Sequence, residues 1–245
     1  MPQRPPALDL LVVAAHPDDA EFSVGGLLAC AKAAGKRTGI VDLTAGEAGT
    51  YGSADLRASE ASRATEILGL DFRTNLGLPD ARLEDTPANR EVLAEVLRDT
   101  RPQVVLLHDT QDRHPDHVAA GQMGRHACFL AGLVRLAEGP DLTPEPHRPT
   151  RMLTFYSHRQ PEADLIVDVT SGWEVKLRAV EAYSSQLQRE AKADRGEHPG
   201  ATSDIVGRMT ARARSYGAQI RADLGEPLGL LGPLDWTAAD LFGGP

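Results

Sequence analysis

Two segments of this chain, His16-Pro17-Asp18-Asp19 and His114-Pro115-Asp116-His117, share the pattern His-Pro-Asp-X and are rich in metal-ligand side chains. His16 and Asp19 are three residues apart, as are His114 and His117, so on a helical first turn each pair lies on one face. Neutral imidazoles and carboxylates are ligands for zinc, and catalytic zinc sites commonly have three protein ligands with one open position. His16, Asp19 and His117 supply such a set. Asp18 then flanks the site without ligating, as a general base would, and His114 with Asp116 makes an imidazole with its orienting carboxylate. For one such turn alone, helix capping explains the residues better than a site does, because Asp and Pro favour helix starts. Two such turns, in a chain whose net charge is already -9, favour a site in which a cation offsets the acidic residues.

Both turns follow apolar runs, Leu8 to Val13 and Val104 to Leu107. Ligands in open α/β sheets gather beyond the carboxyl ends of strands, where the strand order reverses. Hydrophobic periodicity predicts strands over 8–15, 37–44, 72–76 and 103–108, with helices over 20–34, 55–69, 88–100 and 116–136. That alternation predicts an α/β fold, a Rossmann-like three-layer sandwich on a mostly parallel sheet. A Pro-rich loop at 139–150 leads to a C-terminal elaboration: strands at 152–157 and 164–169, helices at 173–187 and 204–217, a polar loop at 188–203 between them, and a Pro/Gly-rich tail. The expectation is a single domain over 1–245, with residues 1–136 as the parallel core and 151–245 completing it.

Composition narrows the partners. With 35 acidic and 26 basic residues, non-specific binding to nucleic acid or an anionic membrane is not expected. No apolar run approaches the roughly 20 residues of a membrane span, and the start MPQRPPALD lacks the apolar region of a signal peptide, so the expected location is cytoplasmic. Cys30 and Cys128, without CxxC spacing, read as reduced thiols. His126, His147 and His198 read as structural or surface residues, while His108 and His158, each at a strand end, could face the site. The loop Gly46 to Ser53 reads as a substrate lid. A phosphate cradle is excluded, since neither GxGxxG after the first strand nor GxxxxGK[ST] is present. Gly25-Gly26 read as close helix–sheet packing, and Tyr216 as a candidate site-facing hydroxyl.

AAHPDDAE together with HPDH resembles the LmbE-like, PIG-L family of zinc-dependent N-acetylglucosaminide deacetylases. DLTxGE at 42–47, NLGLPD at 75–80, FLAGL at 129–133, YSSQ at 183–186 and ARARSYG at 211–217 are similar to its bacillithiol-biosynthesis branch, which deacetylates N-acetyl-D-glucosaminyl-L-malate. The resemblance implies a cytoplasmic hydrolase of a small sugar substrate. It implies Zn²⁺, or another divalent metal such as Fe²⁺ in the cell, on His16, Asp19 and His117. It also implies Asp18 as general base for a zinc-activated water, His114 and Asp116 as catalytic partners, Arg57 as a substrate contact, and a trimeric or hexameric assembly. Without it, Arg57 reads equally as part of an exposed helix face. Tyr51 stands where the branch often has an arginine, which leaves Arg57, Arg82, Arg113 and Arg159 for a substrate carboxylate. Deacetylation of another N-acetylglucosaminide, hydrolysis of a thiol conjugate, and a non-enzymatic nucleotide-binding module on the same fold are the alternatives.

Overall fold

The computed structural model describes residues 5–49, 53–134, 145–187 and 205–233. Their elements run β1 (Leu10–Ala14), α1 (Asp19–Ala33), β2 (Thr38–Thr44), α2 (Ala54–Leu68), β3 (Phe72–Leu78), α3 (Pro87–Thr100), β4 (Val104–His108), α4 (Pro115–Ala131), β5 (Arg151–Phe155), β6 (Leu165–Asp168), α5 (Trp173–Glu181), α6 (Ile205–Gln219) and β7 (Gly225–Leu230). The seven strands form one sheet in the order β3-β2-β1-β4-β5-β7-β6. The pairs from β3 to β5 are parallel, and β7 is antiparallel to both β5 and β6.

Every residue of β1 and β2 is buried, so neither strand shows a polar face. Successive side chains nonetheless alternate. Leu10, Val12 and Ala14 pack with Ile40, Leu106, Phe155 and the inner faces of α1, α2 and α5. Leu11, Val13 and Ala15 pack with Val41, Leu43, Val105, Leu107 and residues of α3 and α4. A period of two along a strand with both faces covered produces the three layers. Gly26 lets α1 approach closely: a Cβ there would lie 2.8 Å from Val169.

Three expected features differ. The C-terminal tail supplies β7, which lies between β5 and β6. Its sequence GEPLGL hides the strand, because a Cβ at Gly229 would come within 2.3 Å of the Tyr156 hydroxyl and one at Gly225 within 2.8 Å of Gly217; glycine marks close approach here. Helix α4 ends at Ala131 instead of 136, where the Arg98 guanidinium donates to the Leu130, Ala131 and Leu133 carbonyls at 3.0, 3.0 and 3.2 Å. Helix α5 ends at Glu181, and residues 184–187 begin a separate turn that Glu60 caps by accepting the Ser185 N–H at 2.9 Å and its hydroxyl at 2.7 Å. The expected loop at 188–203, the first half of that at 139–150, and Tyr51 lie outside the described residues. Among the described residues no helix is long and apolar enough to cross a membrane.

Candidate metal and catalytic site

Strand order reverses between β1 and β4, which are neighbours while β2 and β5 lie on opposite sides of them. The two His-Pro-Asp loops leave the carboxyl ends of these two strands and meet there. The β4 loop has the expected form: Pro115 occupies the first turn of α4, and His114 is its N-cap, with Nδ1 accepting the Asp116 backbone N–H at 3.2 Å. The β1 loop does not. Helix α1 starts only at Asp19, so His16 and Pro17 precede it. His16 and Asp19 meet through a turn in which Asp19 Oδ2 accepts the His16 backbone N–H at 2.9 Å. Between them Asp18 holds φ 118°, a backbone region that costs a non-glycine residue about 1–3 kcal/mol and that persists only when its surroundings over-determine it.

The donor atoms of His16, Asp19 and His117 lie within 4.8 Å of one another. His16 Nδ1 is 3.2 Å from Asp19 Oδ2, and His117 Nε2 is 3.2 Å from Asp19 Oδ1. Ligands around a tetrahedral zinc with bonds of about 2.0–2.1 Å stand about 3.3 Å apart, so this trio fits that ion. The far nitrogen of each imidazole faces a carboxylate. His16 Nε2 is 3.0 Å from Asp80 and 3.2 Å from Asp116, and His117 Nδ1 is 3.4 Å from Asp112. Such outer carboxylates fix the tautomer and orientation of ligating histidines.

The Asp116 carboxylate differs from its expected role. It contacts His16 and accepts the Ala81 and Leu83 backbone N–H groups at 2.7 and 3.3 Å, whereas His114 bonds only its backbone. Helix geometry explains this: with His114 as N-cap, the Asp116 side chain projects toward the β3–α3 loop. Arg57 is buried instead of lying on an exposed helix face. It donates to the Pro17 carbonyl at 2.8 Å and reaches Asp18 Oδ2 at 3.4 Å. Tyr216 is spent on the Pro161 carbonyl at 2.7 Å and is not a site hydroxyl. His126 is exposed beside Asp85, and His147 bonds the Pro102 carbonyl, both structural as expected.

Four further residues belong to the site. Asp80 and Asp112 are the outer carboxylates. His108 lies beneath, its Nε2 accepting the Ala15 N–H at 3.0 Å and its ring stacked 4.2 Å from that of His117. His158 stacks 5.1 Å from His117 on the outer side. The strand-end positions of His108 and His158 mark both as residues that could face the site, and the structure brings both there; the sequence does not single out Asp80 and Asp112 as partners of the ligating histidines.

Electrostatics follow from burial and pairing. Burial and the neighbouring Asp19 raise the Asp18 carboxyl to about 7, opposed by Arg57 and His16. Burial would raise Asp19 as well, yet His117 and His108 hold it well below the carboxylate range. Burial would lower His117, but Asp19 and Asp112 push it up to about 9. Burial brings His108 down to about 4 and also lowers His114. The arrangement therefore offers a three-donor cation site, a carboxylate poised near neutrality beside it, and a neutral imidazole on its flank.

Residues 11–128 match the PIG-L family, GlcNAc-PI de-N-acetylase. The diacetylchitobiose deacetylase of Thermococcus kodakarensis is 31% identical over 192 residues, covering 74% of this chain and 71% of that one. A 1D-myo-inositol 2-acetamido-2-deoxy-alpha-D-glucopyranoside deacetylase of Acidothermus cellulolyticus is 33% identical, over 45% of this chain and 50% of its own. Among solved structures, a conserved protein of Thermus thermophilus superposes with a TM-score of 0.82 at 39% identity, covering 94% of this chain and 98% of that one.

Proposed function

The chain belongs to the PIG-L de-N-acetylase family, enzymes that hydrolyse an amide bond, and from that premise we propose that it removes acetate from a small N-acetylglucosaminide, N-acetyl-D-glucosaminyl-L-malate. The observation that carries this reading is the meeting of His16, Asp19 and His117 with Asp18 where the strand order reverses.

A zinc ion held by those three donors would supply Lewis acidity to the acetamide carbonyl and to the attacking water. Asp18 accepts the proton of that water: burial raises its carboxyl, while Arg57 and a cation on the neighbouring donors favour the ionised form that a base needs. Arg57, fastened to the Pro17 carbonyl, keeps Asp18 ionised and aimed. His114, its Nδ1 engaged with the Asp116 backbone, donates from its other nitrogen to the developing oxyanion, and the proton taken up by Asp18 passes to the departing amine. The products are acetate and the free amine, so atoms balance with water alone.

The malate assignment draws on the branch-specific segments and on Arg82 and Arg113. Both arginines are exposed on the loops that carry Asp80 and His114, and neither has an ion-pair partner among the described residues. Arg57 and Arg159 are already engaged, by Pro17 and Asp18 and by Asp109. Acetate release from zinc-replete protein is the test, comparing the malate conjugate with N-acetylglucosamine, diacetylchitobiose and the inositol conjugate. The malate conjugate should be preferred by kcat/KM. Equal turnover of plain N-acetylglucosamine would remove the malate assignment, and no acetate from any of the four would remove the deacetylase reading. The same ligands accept Fe²⁺, Mn²⁺ or Co²⁺, and activity after loading each ion ranks them.

A further inference from the structure

Asp112 presents an arrangement that ligand spacing alone does not require. Its side chain is only 2% exposed, and a carboxylate so buried needs hydrogen-bond partners to offset desolvation. Asp112 Oδ1 accepts the His114 backbone N–H at 2.8 Å and lies 2.8 Å from His158 Nδ1. The same oxygen is 3.4 Å from His117 Nδ1, and Oδ2 accepts the His158 backbone N–H at 3.2 Å. One carboxylate thus joins the backbone of the flank imidazole, the inner imidazole and a rim imidazole.

We propose that Asp112 is a positioning carboxylate that holds His117 and His158 in one unit, with His158 presenting its outer ring nitrogen to a hydroxyl of the sugar substrate. The proposal rests on His117 being a metal ligand. His117 Nε2 faces Asp19 at 3.2 Å, and its buried Nδ1, which forms no hydrogen bond elsewhere among the described residues, lies 3.4 Å from Asp112 Oδ1. A proton on Nδ1 directed at this carboxylate is the tautomer that leaves Nε2 a donor pair for a cation. His158 spends Nδ1 on Asp112, so Nε2 is turned away from it. The His158 ring is within 15° of parallel to His117 and within 14° of parallel to His114, at 5.1 and 6.5 Å. It is also 31% exposed, forming the outer wall of a stack whose other members belong to the site. The next residue is fixed as well: the Arg159 guanidinium donates to Asp109 at 2.7 Å and Gln111 at 2.9 Å. A surface histidine without a role has no need for both its backbone and its ring to be held by an interior carboxylate.

Asp112, His117 and His158 also have donor atoms within 4.8 Å of one another, the pattern of a second cation site. That alternative requires His117 to lose both ring protons and bridge two cations, whereas 2.8 Å between His158 Nδ1 and Asp112 is a hydrogen-bond length.

Zinc affinity of the metal-stripped full chain, by competition with a chromogenic chelator, and kcat/KM of the zinc-saturated enzyme on the substrate it turns over separate these readings. Asp112→Asn should weaken zinc binding by about 10–100-fold, as loss of an outer-shell partner does. His158→Gln and His158→Phe should bind zinc as the parent does, yet lose about tenfold in kcat/KM, the worth of one good hydrogen bond in the transition state. Parental zinc affinity in Asp112→Asn would overturn the positioning role, and parental kcat/KM in His158→Phe the substrate contact. A second zinc equivalent lost in His158→Phe would replace the substrate contact by a metal site. Should Asp112→Asn fail to fold, the two His158 variants still decide the substrate contact. If His117→Ala leaves zinc affinity unchanged, the underlying site reading fails instead.

Discussion

At the residue scale, the site concentrates cost on Asp18, which combines a φ of 118° with partial burial next to a second carboxylate. Both penalties are tolerated because the neighbours leave it no alternative: Arg57 closes over the Pro17 carbonyl on one side, and Asp19 closes the turn onto His16 on the other. Asp18→Asn should keep its zinc, measured by elemental analysis, while kcat falls roughly 10³-fold, within the range for loss of a general base. Retained activity would remove Asp18 from that role. Arg57→Met acts through Asp18 as well. Arg57 favours the ionised form, so its loss raises the carboxyl further, and the acidic limb of the pH–kcat profile should move to higher pH. An unmoved limb would show that Arg57 does not tune the base. The identities of His16, Asp18, Asp19, His114 and His117 were legible because ligand type and short spacing are local properties. The buried, inward direction of Arg57 was not, because a helix sequence with arginine at that position is equally consistent with solvent.

At the element scale, α1 is less regular than its sequence suggests. Val24 leaves helical geometry at φ -135°, which frees N–H groups in mid-helix. Glu226 of β7 accepts two of them, from Gly26 at 3.0 Å and Leu27 at 2.8 Å. The same carboxylate pairs with Lys176 of α5 at 2.6 Å, and both side chains are almost fully buried. One carboxylate therefore joins β7, α1 and α5 beneath the helix that begins at Asp19. Glu226→Ala should destabilise the fold by about 3–5 kcal/mol, because it strands a buried ammonium and two amides; urea denaturation measures this. A loss below about 1 kcal/mol would mean that water reaches Lys176. Neither the break nor its repair was legible: residues 20–34 show unbroken helical periodicity, and the partner lies far along the chain in a segment whose Gly and Pro disguise a strand.

At the scale of the whole molecule, a second buried network ties the layers together. Arg73 of β3 donates to Asp42 of β2 at 2.8 and 3.0 Å, to Glu21 of α1 at 2.6 Å and to the Tyr183 hydroxyl at 3.1 Å. Burial raises Asp42 from 3.8 to about 6, Arg73 opposes the rise and Glu21 adds to it. The folded state thus binds this proton more tightly than the unfolded chain. Its contribution to stability is complete below about pH 3.8 and is lost as pH rises through about 6. Asp42→Asn should remove that loss, which amounts to about 2 kcal/mol between about pH 4 and about pH 7, from unfolding free energies compared at those two pH values. Parallel pH profiles in parent and variant would show that Asp42 titrates normally.

The sequence by itself determined the chemical inventory and the alternation of strands and helices. Donor types, three-residue spacing, apolar periodicity and Pro at a helix start are each written within a single window. Tertiary structure decided which windows meet. Sheet order brought β1 and β4 together, and that adjacency joined His16 and Asp19 to His117. It also delivered Asp80 from the end of β3 and His158 from beyond β5 to the two ligating imidazoles, and it turned the Asp116 carboxylate from His114 to His16. These outcomes depend on contacts between residues far apart in the chain, set by packing of the layers, and no local pattern carries them.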